Sequence, residues 1–190
     1  GGILSRVARS PPMRSVTLKD GTTVRLRPIH PEDEPELSAL YAGLSPETAY
    51  QRFFTVMARL PPSWAHILAN VDYERRMAIV AVGPDNELIA VARYDSAEAA
   101  KEAEIAIVVQ DQWQGKGIGT ILLAELLRYA ETKGIRRFRA DVFAENRRML
   151  DMLGRLTRVL ERRTERGVTS LLMVPRPRAD LQEPRPQAPG

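Results

Sequence analysis

Cysteine is absent from the 190 residues. That excludes disulfides, thiolate metal sites and a cysteine nucleophile. Histidine occurs only at His30 and His66, the first beside a proline and the second in a short helical stretch. Nothing joins them to each other or to an Asp/Glu cluster, so no metal site is expected. No apolar run approaches the ~18 residues a membrane span requires. The opening Gly1-Gly-Ile-Leu-Ser-Arg lacks the apolar core of a signal peptide. A cytoplasmic setting without membrane contact is therefore expected. Lysine is scarce: Lys19, Lys101, Lys116 and Lys133 are four of the 28 basic residues, and the other 24 are arginine.

What is present is an ordinary globular composition with 44% apolar residues and a length suited to one domain. The net charge of +4 is unevenly spread: residues 136–166 hold ten arginines against Asp141, Glu145, Asp151, Glu161 and Glu165. No aromatic interleaving or base-reading motif accompanies these arginines. They read as a solvated basic face or one that meets an anionic ligand, with no nucleic-acid partner expected.

Residues 1–13 read as a disordered lead-in, and 175–190, with five prolines, as a linker or tail. Between them, 14–174 has a mixed α/β pattern. Val16 to Leu26 alternates around the turn signal Asp20-Gly21. Helices are expected from Pro31 to about Ala42, from Ser45 (as N-cap) onward, and after Pro61-Pro62, where Trp64 is expected as an anchor. Strands are expected at Met77–Val82, Leu88–Tyr94 and Glu104–Val109. A helix follows with Ile118, Leu122, Leu126 and Ala130 on one stripe, closed by Lys133-Gly134. A strand at Arg137–Phe143 leads to a helix at Asn146–Leu156, and Val159–Arg163 and Val168–Val174 form a closing hairpin. The unit from Glu104 to Phe143 is expected to be a parallel crossover, and the three strands before it a meander.

The most informative stretch runs from Glu104 to Thr120. An acid opens an apolar strand, a turn with Gly115, Gly117 and Gly119 follows, and an amphipathic helix begins at once. Such a turn presents backbone N–H groups at the positive end of a helix dipole, where phosphate esters bind. A Walker A loop needs Gly-Lys-Ser/Thr, and Ile118 does not fit. A Rossmann loop is approached by Gly115-x-Gly117-x-x-Thr120, with Asp141 downstream, but no second βαβ half follows.

The third pattern, Gln/Arg-x-x-Gly-x-Gly/Ala, is present as Gln114-Gly-Lys-Gly117-Ile-Gly119. It resembles the pyrophosphate-binding segment of the GNAT N-acetyltransferases, and Glu104-Ile-Ala-Ile-Val-Val and Glu145-Asn-Arg-Arg-Met-Leu strengthen the likeness. Arg25-Leu-Arg-Pro-Ile, Leu44-Ser-Pro-Glu-Thr-Ala-Tyr-Gln-Arg-Phe-Phe54 and Val91-Ala-Arg-Tyr are similar to the GNAT domains of Pat-type bacterial protein-lysine acetyltransferases. The resemblance implies an α/β GNAT fold: a mixed, mostly antiparallel central sheet, splayed at two parallel strands and flanked by helices. It implies acetyl-CoA as co-substrate, an acceptor lysine on a protein such as an acyl-CoA synthetase, and in some relatives fusion to a CoA-ligase-like region.

Under that resemblance, the backbone of Gly115, Lys116, Gly117, Ile118, Gly119 and Thr120, with Gln114, would hold the pyrophosphate. Ile107, Val108 and Val109 would pair with the pantetheine arm, and an N–H of Val108 or Val109 would face the thioester oxygen. Asn146 would reach the same arm or simply cap its helix. Arg147 and Arg148 would meet the 3′-phosphate or face solvent. Glu104 would be the general base, enclosed by an apolar strand that raises its basicity, with Glu102 as understudy and a surface ion pair to Lys101 or Arg93 as the rival reading. Two features depart from the family pattern: Leu153 stands where many members carry a tyrosine acid, and Thr157-Arg158 replaces a Gly-Phe pair. Transfer to a small amine or an N-terminus, or non-catalytic acyl-CoA sensing, are the alternatives.

Overall fold

A computed structural model describes residues 14–53, 60–97 and 101–177. Alternating apolar segments become strands β1 (Arg14–Thr17), β2 (Thr23–Pro28), β3 (Arg76–Val82), β4 (Leu88–Asp95), β5 (Glu102–Val109), β6 (Arg137–Phe143), β7 (Thr157–Glu165) and β8 (Val168–Pro175). Segments with helical period become α1 (Glu34–Ala42), α2 (Pro46–Phe53), α3 (Pro62–Ala69), α4 (Ile118–Thr132) and α5 (Arg147–Leu156). Proline stands in the first turn of α1, α2 and α3, where its missing N–H has no helical partner to lose.

The strands form one sheet in the order β1-β2-β3-β4-β5-β6-β8-β7. Every pairing is antiparallel except β5 with β6, the two strands joined through α4. Strands β2 to β5 are a meander. Alternation sends Val91 and Val108 to the face covered by α1 and α3, and Tyr94 and Ile105 to the face covered by α4 and α5. Leu122 and Leu126 of α4 and Phe138 of β6 are fully buried on the second face. Each such side chain contributes about 1.5–3 kcal/mol of transfer free energy.

The feature that shapes the site is where the parallel ladder stops. Pairing between β5 and β6 covers only Glu102, Ala103 and Glu104 against Arg137, Phe138 and Arg139. Beyond Glu104 the two strands part while β5 remains paired with β4 as far as Val109.

Several expectations are adjusted. β7 starts at Thr157, directly after α5, and is longer than Val159–Arg163; β8 reaches Pro175, one residue past the expected boundary at 174. Trp64, expected as an anchor of α3, is 42% exposed, and Ala65 and Ala69 form the buried side of that helix. Phe54, the lead-in 1–13 and residues 178–190 of the tail lie outside the described residues.

Candidate active site

The glycine turn has a conformation only glycine adopts easily. Gly115 has φ +78° and Gly117 φ +91°, both in the left-handed region. Gly117 is the N-cap of α4 and offers no capping side chain, so the first N–H groups of the helix, on Ile118, Gly119 and Thr120, have no helical acceptor. Gly119 sits close against α5: a Cβ there would lie 3.2 Å from the Met152 Sδ, which would have to shift slightly. The side chain of Lys116 turns away from this cradle. Its Nζ lies 2.8 Å from Asp20 Oδ2 in the β1–β2 turn and 5.0 Å from the centre of the Trp113 ring. The Lys116 ammonium and the Thr22 N–H draw the Asp20 carboxyl down to about 2.

Alternation along β5 identifies the free backbone groups. Gln110 N–H donates to the Ile89 carbonyl on the β4 side, and Arg137 N–H donates to the Lys101 carbonyl on the β6 side. Even-numbered residues of β5 therefore point their backbone groups at β4, and odd-numbered ones at β6. Past the end of the parallel ladder, the groups left facing the split belong to Ile107 and Val109. The N–H of Val108 points at β4, so of the two expected oxyanion donors, Val108 and Val109, only Val109 faces the split, and Ile107 faces it beside Val109. The Val109 carbonyl accepts from Gln114 Nε2 at 3.0 Å, which ties the start of the glycine turn to the strand end.

Two chambers meet at the split. The first, about 290 Å³, is lined by Ile107, Val108, Val109, Gln114, Gly115, Gly117, Ile118, Gly119, Thr120 and Asn146. Its charged lining is Lys19, Arg52, Arg148 and Arg155, with no acid among the described residues. The second, about 240 Å³, lies where β5 and β6 diverge and is lined by Glu104, Ala106, Asp141 and Leu153, among others. Gln51 and Arg52 of α2, Ile107 of β5 and Met149 of α5 line both, so the chambers adjoin. The first fits an elongated anionic ligand with an apolar arm: backbone donors and cations at one end, a free strand edge along its length.

Glu104 opens into the second chamber but is exposed, not enclosed by apolar residues as expected. The cause is its place at the last rung of the parallel ladder, where the partner strand leaves. Its lateral neighbours are Asp95 on β4 and Arg139 on β6. No ion pair ties it to Lys101 or to Arg93 among the described residues. Arg93 is buried and donates from Nη1 to the Leu68 carbonyl at 3.2 Å. Burial pulls that guanidinium down to about 10. Glu102 is held by Arg139, Oε2 to Nε at 2.9 Å, and does not line the chamber.

Asn146 caps α5, its Oδ1 accepting from the Met149 N–H at 3.3 Å, and also lines the first chamber. Of the neighbouring arginines, Arg148 faces that chamber and donates to Gln114 Oε1 at 3.2 Å, whereas Arg147 is not among its lining. Leu153 is buried. At the altered helix end, the buried Thr157 hydroxyl donates to the Leu153 carbonyl at 2.6 Å and closes α5 without glycine.

Sequence reasoning missed the clamp that holds α2 over the split. Asp111 accepts from Ser45 N–H at 2.9 Å, Ser45 Oγ at 2.8 Å and Thr48 Oγ1 at 2.9 Å. Burial would raise the Asp111 carboxyl, but these donors outweigh it and hold the carboxyl below its usual range. Tyr50 of α2 stacks on Phe143 of β6, ring centres 5.2 Å apart. Only the 66-residue separation of Ser45 and Asp111 hid this contact; both residue types are common capping and turn formers.

Known proteins resemble this chain in sequence and fold. The chain matches the family model described as Acetyltransferase (GNAT) family over residues 43–156. It is 32% identical over 139 residues to an acetyltransferase of Pseudomonas aeruginosa, across 72% of this chain and 75% of that protein. It is 35% identical over 148 residues to the acetyltransferase Pat of Mycolicibacterium smegmatis, across 73% of this chain but 43% of that protein, less than half its length. The crystal structure of the GNAT domain of S. lividans PAT superposes with a TM-score of 0.78 at 34% identity, covering 84% of this chain and 95% of that one. The glycine turn, the splayed strands and these matches agree: the chain belongs to the GNAT acetyltransferase family.

Proposed function

We propose that this chain moves the acetyl group of acetyl-CoA to a lysine side chain of a protein, with acyl-CoA synthetases as the acceptor class, by direct attack assisted by Glu104. The observation that carries the reading is the adjacency of the two chambers, which share four lining residues. A cationic groove ends at a free strand edge, and a carboxylate stands just past that edge in the adjoining space.

The donor's phosphates are held by the N–H groups of the turn from Gly115 to Thr120 and by Gln114, Arg148 and Arg155. The backbone of Ile107 and Val109 pairs with the amide-bearing arm. The N–H of Val109 or Ile107 stabilises charge developing on the thioester oxygen, a contact worth roughly 2.7–4 kcal/mol in enzymes where it has been removed.

Glu104 accepts the proton of the incoming amine, directly or through a water, because an amine with pKa ~10.4 is almost wholly protonated at neutral pH. The nitrogen lone pair forms the new bond to the carbonyl carbon, the C–S bond breaks with its electrons left on sulfur, and the second proton shed by the nitrogen passes to the departing thiolate or to water. A thiol of pKa ~8.5 leaves as thiolate, so Leu153 in place of an acid does not block the step. With no cysteine in the chain, transfer passes directly between donor and acceptor without a cysteinyl thioester. The likeness to Pat, of whose length this chain matches less than half, supports the protein-lysine acceptor.

The test is acetyl transfer from acetyl-CoA to a panel of acyl-CoA synthetases, read by peptide mass spectrometry. Lysine acetylation is the expected result. Transfer only to small amines or N-termini would replace the acceptor class, and CoA binding without any transfer would favour a sensing role.

A further inference from the structure

The geometry points to Asp141 as a second acceptor-site carboxylate, one that binds the acceptor as an ammonium ion and delivers it to Glu104. This inference rests on the amine-acceptor reading above and names the residue that gives it charge selectivity.

The placement follows from the parallel register. Arg139 of β6 is the rung opposite Glu104. Asp141 lies two residues further along, so it shares a face with Arg139 and Glu104 and sits about 6.6 Å beyond the last rung along the strand direction. The strands part there, and Asp141 and Glu104 line one chamber from opposite walls. Ser170 of β8 fixes the Asp141 carboxylate, its Oγ donating to Oδ1 at 2.6 Å. Oδ2 accepts no hydrogen bond from the described residues.

Charge divides the two chambers. The first holds four cationic side chains and no acid. The second holds Glu104 and Asp141 against a single guanidinium, that of Arg52, which stands at the junction with the first. Of the other cations on this face, Arg139 is bound to Glu102, Arg163 to Glu165 and Arg93 to the Leu68 carbonyl, and Arg137 lies four residues back along β6 from Asp141. A phosphate-bearing donor is drawn to one side and a cation to the other, so the ligands sort themselves before they meet.

An ammonium has three donors, enough for both carboxylates at once. It arrives charged, which the bulk protonation of lysine favours, and one of its protons then passes to Glu104 while Asp141 keeps its contact with the nitrogen. Asp141 is thus a binding and specificity group, separate from the base.

The test compares n-butylammonium, the end of a lysine side chain, with its neutral isostere n-butanol, titrated by NMR into the CoA-loaded full chain. Wild type is expected to favour the cation by about tenfold or more, one charge-assisted contact's worth. Asp141→Asn should remove most of that preference and Asp141→Glu should restore part of it. With saturating acetyl-CoA and a capped lysine as acceptor, Asp141→Asn should raise KM about tenfold and leave kcat within about twofold, whereas Glu104→Gln should lower kcat. No preference for the cation in wild type, or one that survives in Asp141→Asn, overturns the inference. An Asp141-dependent preference with no acetyl transfer would uphold the ammonium subsite and remove the transfer reading alone.

Discussion

The Lys116 ammonium is bonded to the Asp20 carboxylate across 96 residues of sequence, fastening the glycine turn to the β1–β2 hairpin. Both groups are at the surface, so the contact contributes little to global stability and acts on the shape of the loop. Asp20→Asn should weaken CoA binding a few-fold and leave the fold intact. Because the folded carboxyl titrates at about 2 against an ordinary 3.8, the pair stabilises fully above about pH 4 and loses its effect as pH falls through 2. The difference in Tm between wild type and Asp20→Asn, measured from pH 5 down to 2, should shrink towards zero at the acid end.

Gly117→Ala should damage donor binding through the backbone. Alanine at φ +91° carries strain of about 1–2 kcal/mol, and relief of that strain moves the N–H groups that follow. CoA affinity by calorimetry should fall on the order of tenfold, converting that strain at 1.4 kcal/mol per decade. Gly119→Ala meets only the flexible end of Met152 and should cost less.

Thr157→Val tests how α5 ends without glycine. The substitution leaves the Leu153 carbonyl without its hydroxyl donor in a buried place. The carbonyl keeps the Thr157 N–H as a donor, so the expected loss is about 0.5–1.5 kcal/mol, or a Tm lower by about 1–6 °C for a chain of this size. CoA binding should be unchanged, since neither residue lines the first chamber.

Arg148 and Arg155 should act on the donor through charge. Each alanine variant should weaken CoA binding several-fold at low salt and by less at 0.5 M, where the Debye length is short. Equal effects at both salt concentrations would assign these side chains to packing instead.

The elements were largely legible because periods of 2 and 3.6 and the capping residues Ser45, Asn146 and Gly134 are local signals. The glycine turn was legible for the same reason: strand, glycines and helix lie consecutively between Glu104 and Thr120. What stayed hidden depends on contacts between distant segments. The exposure of Glu104 follows from the point where β6 leaves β5, which no property of β5 encodes. Asp141 reaches the second chamber only through that register, and in the sequence it looked like the acid of an unrelated dinucleotide motif. Trp64, read as an anchor from its size, lies at the surface because small alanines fill the underside of α3.

The central claim is that Glu104 accepts the acceptor's proton beside a bound donor. Its most direct test is the rate of acetyl transfer by wild type and Glu104→Gln across pH 6 to 9, with CoA affinity measured on the same preparations. The account predicts unchanged CoA affinity and a kcat lower by about 10²–10³-fold at neutral pH, with the gap narrowing as rising pH deprotonates the amine without help. Full turnover by Glu104→Gln at neutral pH would contradict it.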